Sequence, residues 1–103
     1  MQLRITWRDA KAAKNWRDHR VAFTEAETVF YSDPSMQTIF DPEHSDQEKR
    51  FTTLGYSSRN RLLRITHTEE TAFEAGEEFV ILHIISARTA QRLDREIYEE
   101  LNS

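Results

Sequence analysis

Leu3, Ile5 and Trp7 alternate with Gln2, Arg4 and Thr6, a period of two that predicts a half-buried strand at the start of the chain. Asp9 is placed to cap a helix running to about Arg20, with Ala12, Trp16 and His19 at helical spacing on one face. Thr24 and Glu27 form a Thr-x-x-Glu box, which predicts a second, shorter helix through about Phe30 that buries Ala26, Val29 and Phe30. Ser32-Asp33-Pro34-Ser35 reads as a turn, Gln37 to Phe40 as a strand, and the polar stretch from Asp41 to Glu48, with Pro42, as a loop. A strand follows from about Arg50 to Tyr56, in which Gly55 is expected to mark a bulge. Ser57 to Asn60 then turns the chain into Leu62–Thr68 as an antiparallel hairpin. Glu69 to Glu78 reads as an acidic connection, and Phe79 to Ala87, apolar on both faces, as a central strand. The last helix runs from about Thr89 to Leu101, with Ala90, Leu93, Ile97 and Leu101 as its apolar stripe and Arg92–Glu96 and Arg95–Glu99 as i,i+4 pairs. Strands segregated from helices predict an α+β fold: an N-terminal strand and two helices, a mainly antiparallel sheet and a C-terminal helix, in one domain over residues 1–103.

Composition narrows the function classes. The chain of 103 residues contains no cysteine, which removes disulfides, thiolate metal sites and a cysteine nucleophile. Two glycines leave no material for a glycine-rich phosphate loop. No apolar run approaches the ~20 residues that span a bilayer, and Met1-Gln2-Leu3-Arg4 lacks the apolar stretch of a signal peptide, so a cytoplasmic location without a membrane partner is expected. The net charge of -4 hides segregation: residues 1–20 carry +4, 21–48 carry -7, 49–68 carry +5 and 69–78 carry -5. Two basic segments can meet in space as a local anion site, or opposite blocks can neutralise one another across the fold.

Candidate chemistry rests on histidine and arginine. His19, His44, His67 and His83 show no metal-binding spacing, so no metal or other cofactor is expected. Arg88 follows Ile84-Ile85-Ser86-Ala87 at a predicted strand–helix junction, where a guanidinium can grip a phosphate bidentately or simply flank the helix at the surface. His67 shares its strand face with Leu63 and Ile65 and reads either as a core histidine or as a general acid or base. His83, between Leu82 and Ile84, carries the same two readings. Trp7 and Trp16 read as core, with base stacking as the alternative, and Tyr98 reads as packing.

In order and spacing, a series of motifs resembles the BrnT family of type II toxins, ribonucleases with a RelE-like fold. They are Trp7 with Lys11, Asn15 and His19; Val21-x-Phe23-x-Glu25-Ala26-x-x-Val29-Phe30; Asp33-Pro34; Asp41-Pro42-x-His44-Ser45; and Arg50-Phe51. Gly55-x-Ser57-Ser58, Arg61-Leu62-Leu63, His67-Thr68 and Ile84-Ile85-Ser86-Ala87-Arg88-x-Ala90 follow, with Glu96 and Tyr98 after them. The resemblance covers about Leu3 to Glu100. It implies a small toxin that cleaves RNA, inhibits translation and is neutralised by a BrnA-type antitoxin, through which alone it meets operator DNA.

What the resemblance implies for the site is a metal-independent endoribonuclease in which the RNA 2′-hydroxyl attacks the adjacent phosphate. Arg88 and Arg50, supported by Lys11, are expected to stabilise the phosphate, and His67 or His19 to move protons. Arg61, Arg64 and His83 are expected RNA contacts. The chain departs from the family pattern at Arg8, where an acid is usual, at Asp18 and Arg20, and at His83, where a basic strand residue is usual. Its acidic stretch 69–78 is also longer than the usual hairpin. These departures motivate an alternative: a catalytically weak or inactive relative that serves as the antitoxin-binding partner in a regulatory complex.

Overall fold

A computed structural model describes residues 2–44, 46 and 48–103; Ser45 of the family motif lies outside the described residues, as do Met1 and Gln47. The chain runs β1 (Gln2–Thr6), α1 (Asp9–His19), α2 (Phe23–Ser32), β2 (Gln37–Asp41), β3 (Arg50–Tyr56), β4 (Leu62–Glu74), β5 (Glu77–Thr89) and α3 (Arg92–Leu101). Five strands form one sheet in the order β1-β5-β4-β3-β2, antiparallel except for the β1–β5 pair. The α+β class and mainly antiparallel sheet are as the sequence predicts. Among the described residues, no helix is long and apolar enough to cross a membrane.

Helices α1 and α2 lie on one face of the sheet, where Val21, Phe23, Ala26, Val29, Leu63, Ile65, Leu82, Ile84 and Ala87 make the main core. Helix α3 lies on the other face over a smaller core of Leu54, Leu62 and Tyr98, and leaves the rest of that face open. Gly55 is no bulge, because β3 keeps unbroken register with β4 through it. It is a close-approach glycine: a Cβ there would sit 2.5 Å from Val29 Cγ1 and 3.0 Å from Met36 Cβ. The bulge lies instead between β4 and β5, where Thr66 faces Ser86 and His67 faces Ile84, so that Ile85 is the extra residue.

Other expectations change for local reasons. Asp9 is the first residue of α1 and Arg8 its N-cap, with no side-chain bond to the helix end. The Thr24–Glu27 box does not form, because α2 begins earlier, behind Ala22, and its first-turn acid is Glu25. Trp16 is 44% exposed, with the Arg20 guanidinium 5.4 Å from its ring, so it is not core. Trp7 does pack inward, edge-on to Phe23. The stretch 69–78 is a continuation of β4 and β5 around a tight turn at Ala75 and Gly76, both with positive φ. Thr89 belongs to β5, and α3 starts at Arg92 behind Gln91, whose N–H donates to Asp94. Within α3, Asp94 and Tyr98 are the buried residues while Leu93 and Leu101 are exposed, and Arg95 donates to Tyr56 rather than to Glu99.

Candidate active site

Where β1 ends at Thr6, β5 runs on for six more residues without a strand on that side. Asn15 of α1 satisfies that bare edge. Its amide nitrogen donates to the carbonyls of Ala87 (2.8 Å) and Val21 (2.9 Å), and its oxygen accepts the Ala87 N–H (3.0 Å). One buried amide thus pairs both backbone polar groups of Ala87, as buried N–H and C=O groups require. It also ties the middle of α1 to β5 two residues beyond the bulge.

Beside the bulge is a cleft of about 300 Å³ lined by Arg8, the N-cap of α1, Lys11 of α1, Glu48 just before β3, Arg50 at its start, and His83, Ile84 and Ile85 of β5. Its floor is one rank of the sheet. Thr6 pairs with His83, His83 with Thr68, Thr68 with Arg50 and Arg50 with Asp41, so that His83 and Arg50 flank Thr68 on the open face. At ~4.8 Å between strands, the two side chains start about 10 Å apart, a spacing that admits a phosphodiester between them. Thr6 Oγ1 lies 2.9 Å from His83 Nδ1 and orients the ring. Three cations and one carboxylate, Glu48 at 3.8 Å from Arg50 Nε, surround the imidazole, so the cleft keeps a net positive charge suited to an anion. A neighbouring hollow shares Glu48 and Arg50, but its other described walls are Glu43, His44 and Asp46. That acidic lining repels phosphate, so the basic cleft is the stronger candidate.

The bulge decides which residues of β5 reach this face. Arg88 and His83 are five positions apart, an odd number that would set them on opposite sides of a regular strand. Insertion of Ile85 brings both to the open face, with Arg88 opposite Arg64 and His83 opposite Thr68. Arg64 and Arg88 lie about 14 Å along the sheet from the His83 rank, four β4 residues at ~3.4 Å each. Asp94 of α3 receives both guanidiniums, Arg88 at 2.8 Å and Arg64 at 2.9 Å. Burial pushes the Asp94 carboxyl up, yet the Gln91 N–H and the two arginines hold it below the usual carboxylate range. Arg88 is the penultimate residue of β5, at the expected strand–helix junction, and its guanidinium is bound by the helix through Asp94.

The remaining candidates lie elsewhere. Among the expected site residues, Lys11, Arg50 and His83 are the ones the cleft gathers. His19, at the far end of α1, is eight residues and about 12 Å along the axis from Lys11. His67 points into the main core with no exposed surface, its Nε2 2.6 Å from Thr53 Oγ1 and its ring stacked on Phe51. Burial pushes its pKa down to about 4, so the ring is neutral at pH 7. Arg61 is held by buried Glu25 through two hydrogen bonds, one of 2.9 Å from Nε, and Ser57 donates to the same carboxylate at 2.7 Å. The Arg61 hydrogen bond, helped by Ser57 against the cost of burial, keeps Glu25 below its ordinary pKa. Of the departures from the family pattern, Asp18 is paired with Lys14 at 2.5 Å and Arg20 lies over Trp16, both outside the cleft, whereas Arg8 and His83 are in its wall. Sequence reasoning missed Arg8 as a site residue; its spacing of three from Lys11 on one helical turn is the signal that identifies it. Among the described residues, no group of three or more His, Asp or Glu side chains is arranged to hold a metal ion.

The family described as "Ribonuclease toxin, BrnT, of type II toxin-antitoxin system" matches residues 7–94. The structure is similar to the 1.1 Å crystal structure of the Brucella abortus ribonuclease toxin, BrnT, with a TM-score of 0.57 and 21% sequence identity, over 89% of this chain and 100% of that one. At that identity the likeness speaks to the fold. No curated protein matches the sequence.

Proposed function

Since the chain belongs to the BrnT family of ribonuclease toxins of type II toxin-antitoxin systems, we propose that it is an active, metal-independent endoribonuclease whose scissile phosphate sits between His83 and Arg50. The observation that carries this reading is the convergence of Arg8, Lys11 and Arg50 around His83 in one cleft of a chain with net negative charge. That local positive charge is suited to RNA despite the net negative charge of the chain. His83 takes the proton of the 2′-hydroxyl as that oxygen bonds to the adjacent phosphorus. Arg50 and Lys11 stabilise the charge that builds on the non-bridging oxygens, and Arg8 steadies the strand behind them. The bond from phosphorus to the 5′-oxygen then breaks, and the imidazolium returns its proton to that oxygen. The products are a 2′,3′-cyclic phosphate and a 5′-hydroxyl. Thr6 Oγ1 can both donate and accept, so it holds the ring through both steps. The proton role expected of His67 or His19 passes to His83, and Arg64 and Arg88 take a flanking phosphate of the same strand.

On this reading the protein acts in the cytoplasm, inhibits translation and growth by cleaving RNA, and is neutralised by a BrnA-like antitoxin that supplies all contact with operator DNA. The test is incubation of purified protein with total RNA in EDTA beside a Lys11→Ala/Arg50→Ala variant. Cleavage with cyclic-phosphate ends by the wild type, and loss of about 10²–10³-fold in the variant, is the expected result. A folded wild-type protein that cleaves nothing and expresses without arresting growth overturns it in favour of an inactive, antitoxin-binding relative.

A further inference from the structure

The distal half of the β4–β5 hairpin is built unlike the rest of the sheet. β4 pairs with β3 as far as Thr68, and β5 pairs with β1 from Phe79 onward, so residues 69–78 form a ribbon with no third strand beside it. Two-stranded ribbons are marginal in water on their own. This one also carries Glu69, Glu70, Glu74, Glu77 and Glu78, with Glu74 directly opposite Glu77. Like charges facing across strands oppose pairing. Arg4 offsets one of them, at 2.7 Å from Glu74, but among the described residues no cation pairs with Glu70, Glu77 or Glu78. Phe73, paired with Glu78, is 72% exposed.

At the base of the ribbon, on the face that α1 and α2 cover higher up, lies an apolar groove of about 240 Å³. It is lined by Leu3, Phe30, Met36, Val80 and Leu82, with Glu69 at its rim. Glu69 keeps 37% of its side chain exposed at that rim, and burial of the rest raises its pKa. Beside it, His67 Nδ1 is buried without a hydrogen-bond partner, 3.8 Å from the Glu69 carboxylate. By strand alternation Phe73, Glu78, Val80 and Leu82 share this face, so the groove continues into the ribbon as apolar positions fringed with acid. An acidic, apolar surface rejects RNA and fits a polypeptide of opposite character. We infer that the groove face of the ribbon is the antitoxin's docking surface, and that it receives a basic, amphipathic segment whose apolar side chains enter the groove while its Lys and Arg meet Glu69 and Glu78, the ribbon glutamates on that face; Glu70, Glu74 and Glu77 alternate to the other side. This inference rests on the type II toxin reading, and it places the antitoxin on the opposite side of the sheet from the His83 cleft.

The test titrates the full-length toxin with the purified antitoxin encoded alongside it, by calorimetry. Phe73→Ser/Glu78→Lys alters two exposed side chains, and its thermal melt checks that the fold is kept. The variant is expected to raise Kd about tenfold or more and to flatten the loss of affinity between about 0.1 M and 0.5 M salt, since both depend on charge pairing across the interface. RNA cleavage by the variant is expected to equal the wild type, and Lys11→Ala/Arg50→Ala is expected to leave Kd within about twofold. Wild-type affinity in the ribbon variant, loss of binding in the cleft variant, or a wild-type toxin that dimerises through the ribbon would each overturn the inference. A toxin that cleaves no RNA yet binds through the ribbon would sink the ribonuclease reading and leave this one standing.

Discussion

His67 on β4 and His83 on β5 stand on neighbouring strands, one register step apart, and their surroundings could hardly differ more. His67 faces the helices, where the sheet and α2 strip it of water, stack it on Phe51 and hold its ring neutral. His83 faces the open side, where Thr6 holds one nitrogen and Arg8, Lys11 and Arg50 surround the approach to the other. The contrast teaches that residue type names a capability and the strand face decides whether it is used. A histidine sealed in a core cannot meet substrate, whatever its pKa.

The sharpest way to break this comparison is to exchange which histidine matters. His83→Ala is expected to lower RNA cleavage by about 10²–10⁴-fold, the usual worth of a positioned acid or base. His67→Gln, which keeps a polar partner for Thr53, is expected to leave cleavage per folded molecule unchanged. The reverse pattern in single-turnover assays would invert the assignment.

Next in size is the effect of pH on stability. His67 binds its proton near pH 6.5 when unfolded and near pH 4 when folded, so the unfolded state holds more protons between those values. Stability from this residue is complete above about pH 6.5 and falls as pH drops toward 4, by about 3 kcal/mol in total. Glu69, whose pKa burial raises, acts with the opposite sign: its contribution is present below its unfolded pKa and fades as pH rises through the folded one. Urea midpoints across this range should slope in the wild type and flatten in His67→Gln; an equal slope in both would remove His67 from the account.

The division extends to the cations. Arg61 serves the fold through buried Glu25, whereas Lys11 serves the cleft and is exposed. Glu25→Ala should cost about 2–3 kcal/mol, less than the ~3–5 of a fully buried pair because Arg61 is one-third exposed. Lys11→Ala should stay within about 0.5 kcal/mol. Equal losses in denaturant unfolding would erase the distinction. Last, Gly55→Ala pushes a methyl into Val29 and should cost about 1–3 kcal/mol while cleavage per folded molecule stays the same.

Much of this was legible in the residues. The alternation of β1, the hairpin of β3 and β4 and the existence of α3 followed from period and turn chemistry. Lys11, Arg50 and His83 were all named as candidates, but so were His67, His19 and Arg61, and nothing local separated the two groups. Phe79 to Ala87 is apolar on both faces, and that uniformity conceals the one-residue phase shift at Ile85. Alternating polarity could not mark the bulge that turns both Arg88 and His83 to the open side. The acidic run of 69–78 read as a connection because like charges argue against strand pairing, and the register of β4 with β5 overrode them.

The sequence by itself determined what can be decided over a few residues: the elements, the absence of cysteine chemistry, the segregated charge and, through ordered motifs along most of the chain, the family. Tertiary structure decided which cations converge, which histidine is dry, and which arginines are already held by Glu25 or Asp94. Those outcomes depend on pairing Thr6, His83, Thr68 and Arg50 from four separate segments into one rank. Side-chain burial and charge pairing are properties of distance in space, and distance along the chain does not carry them.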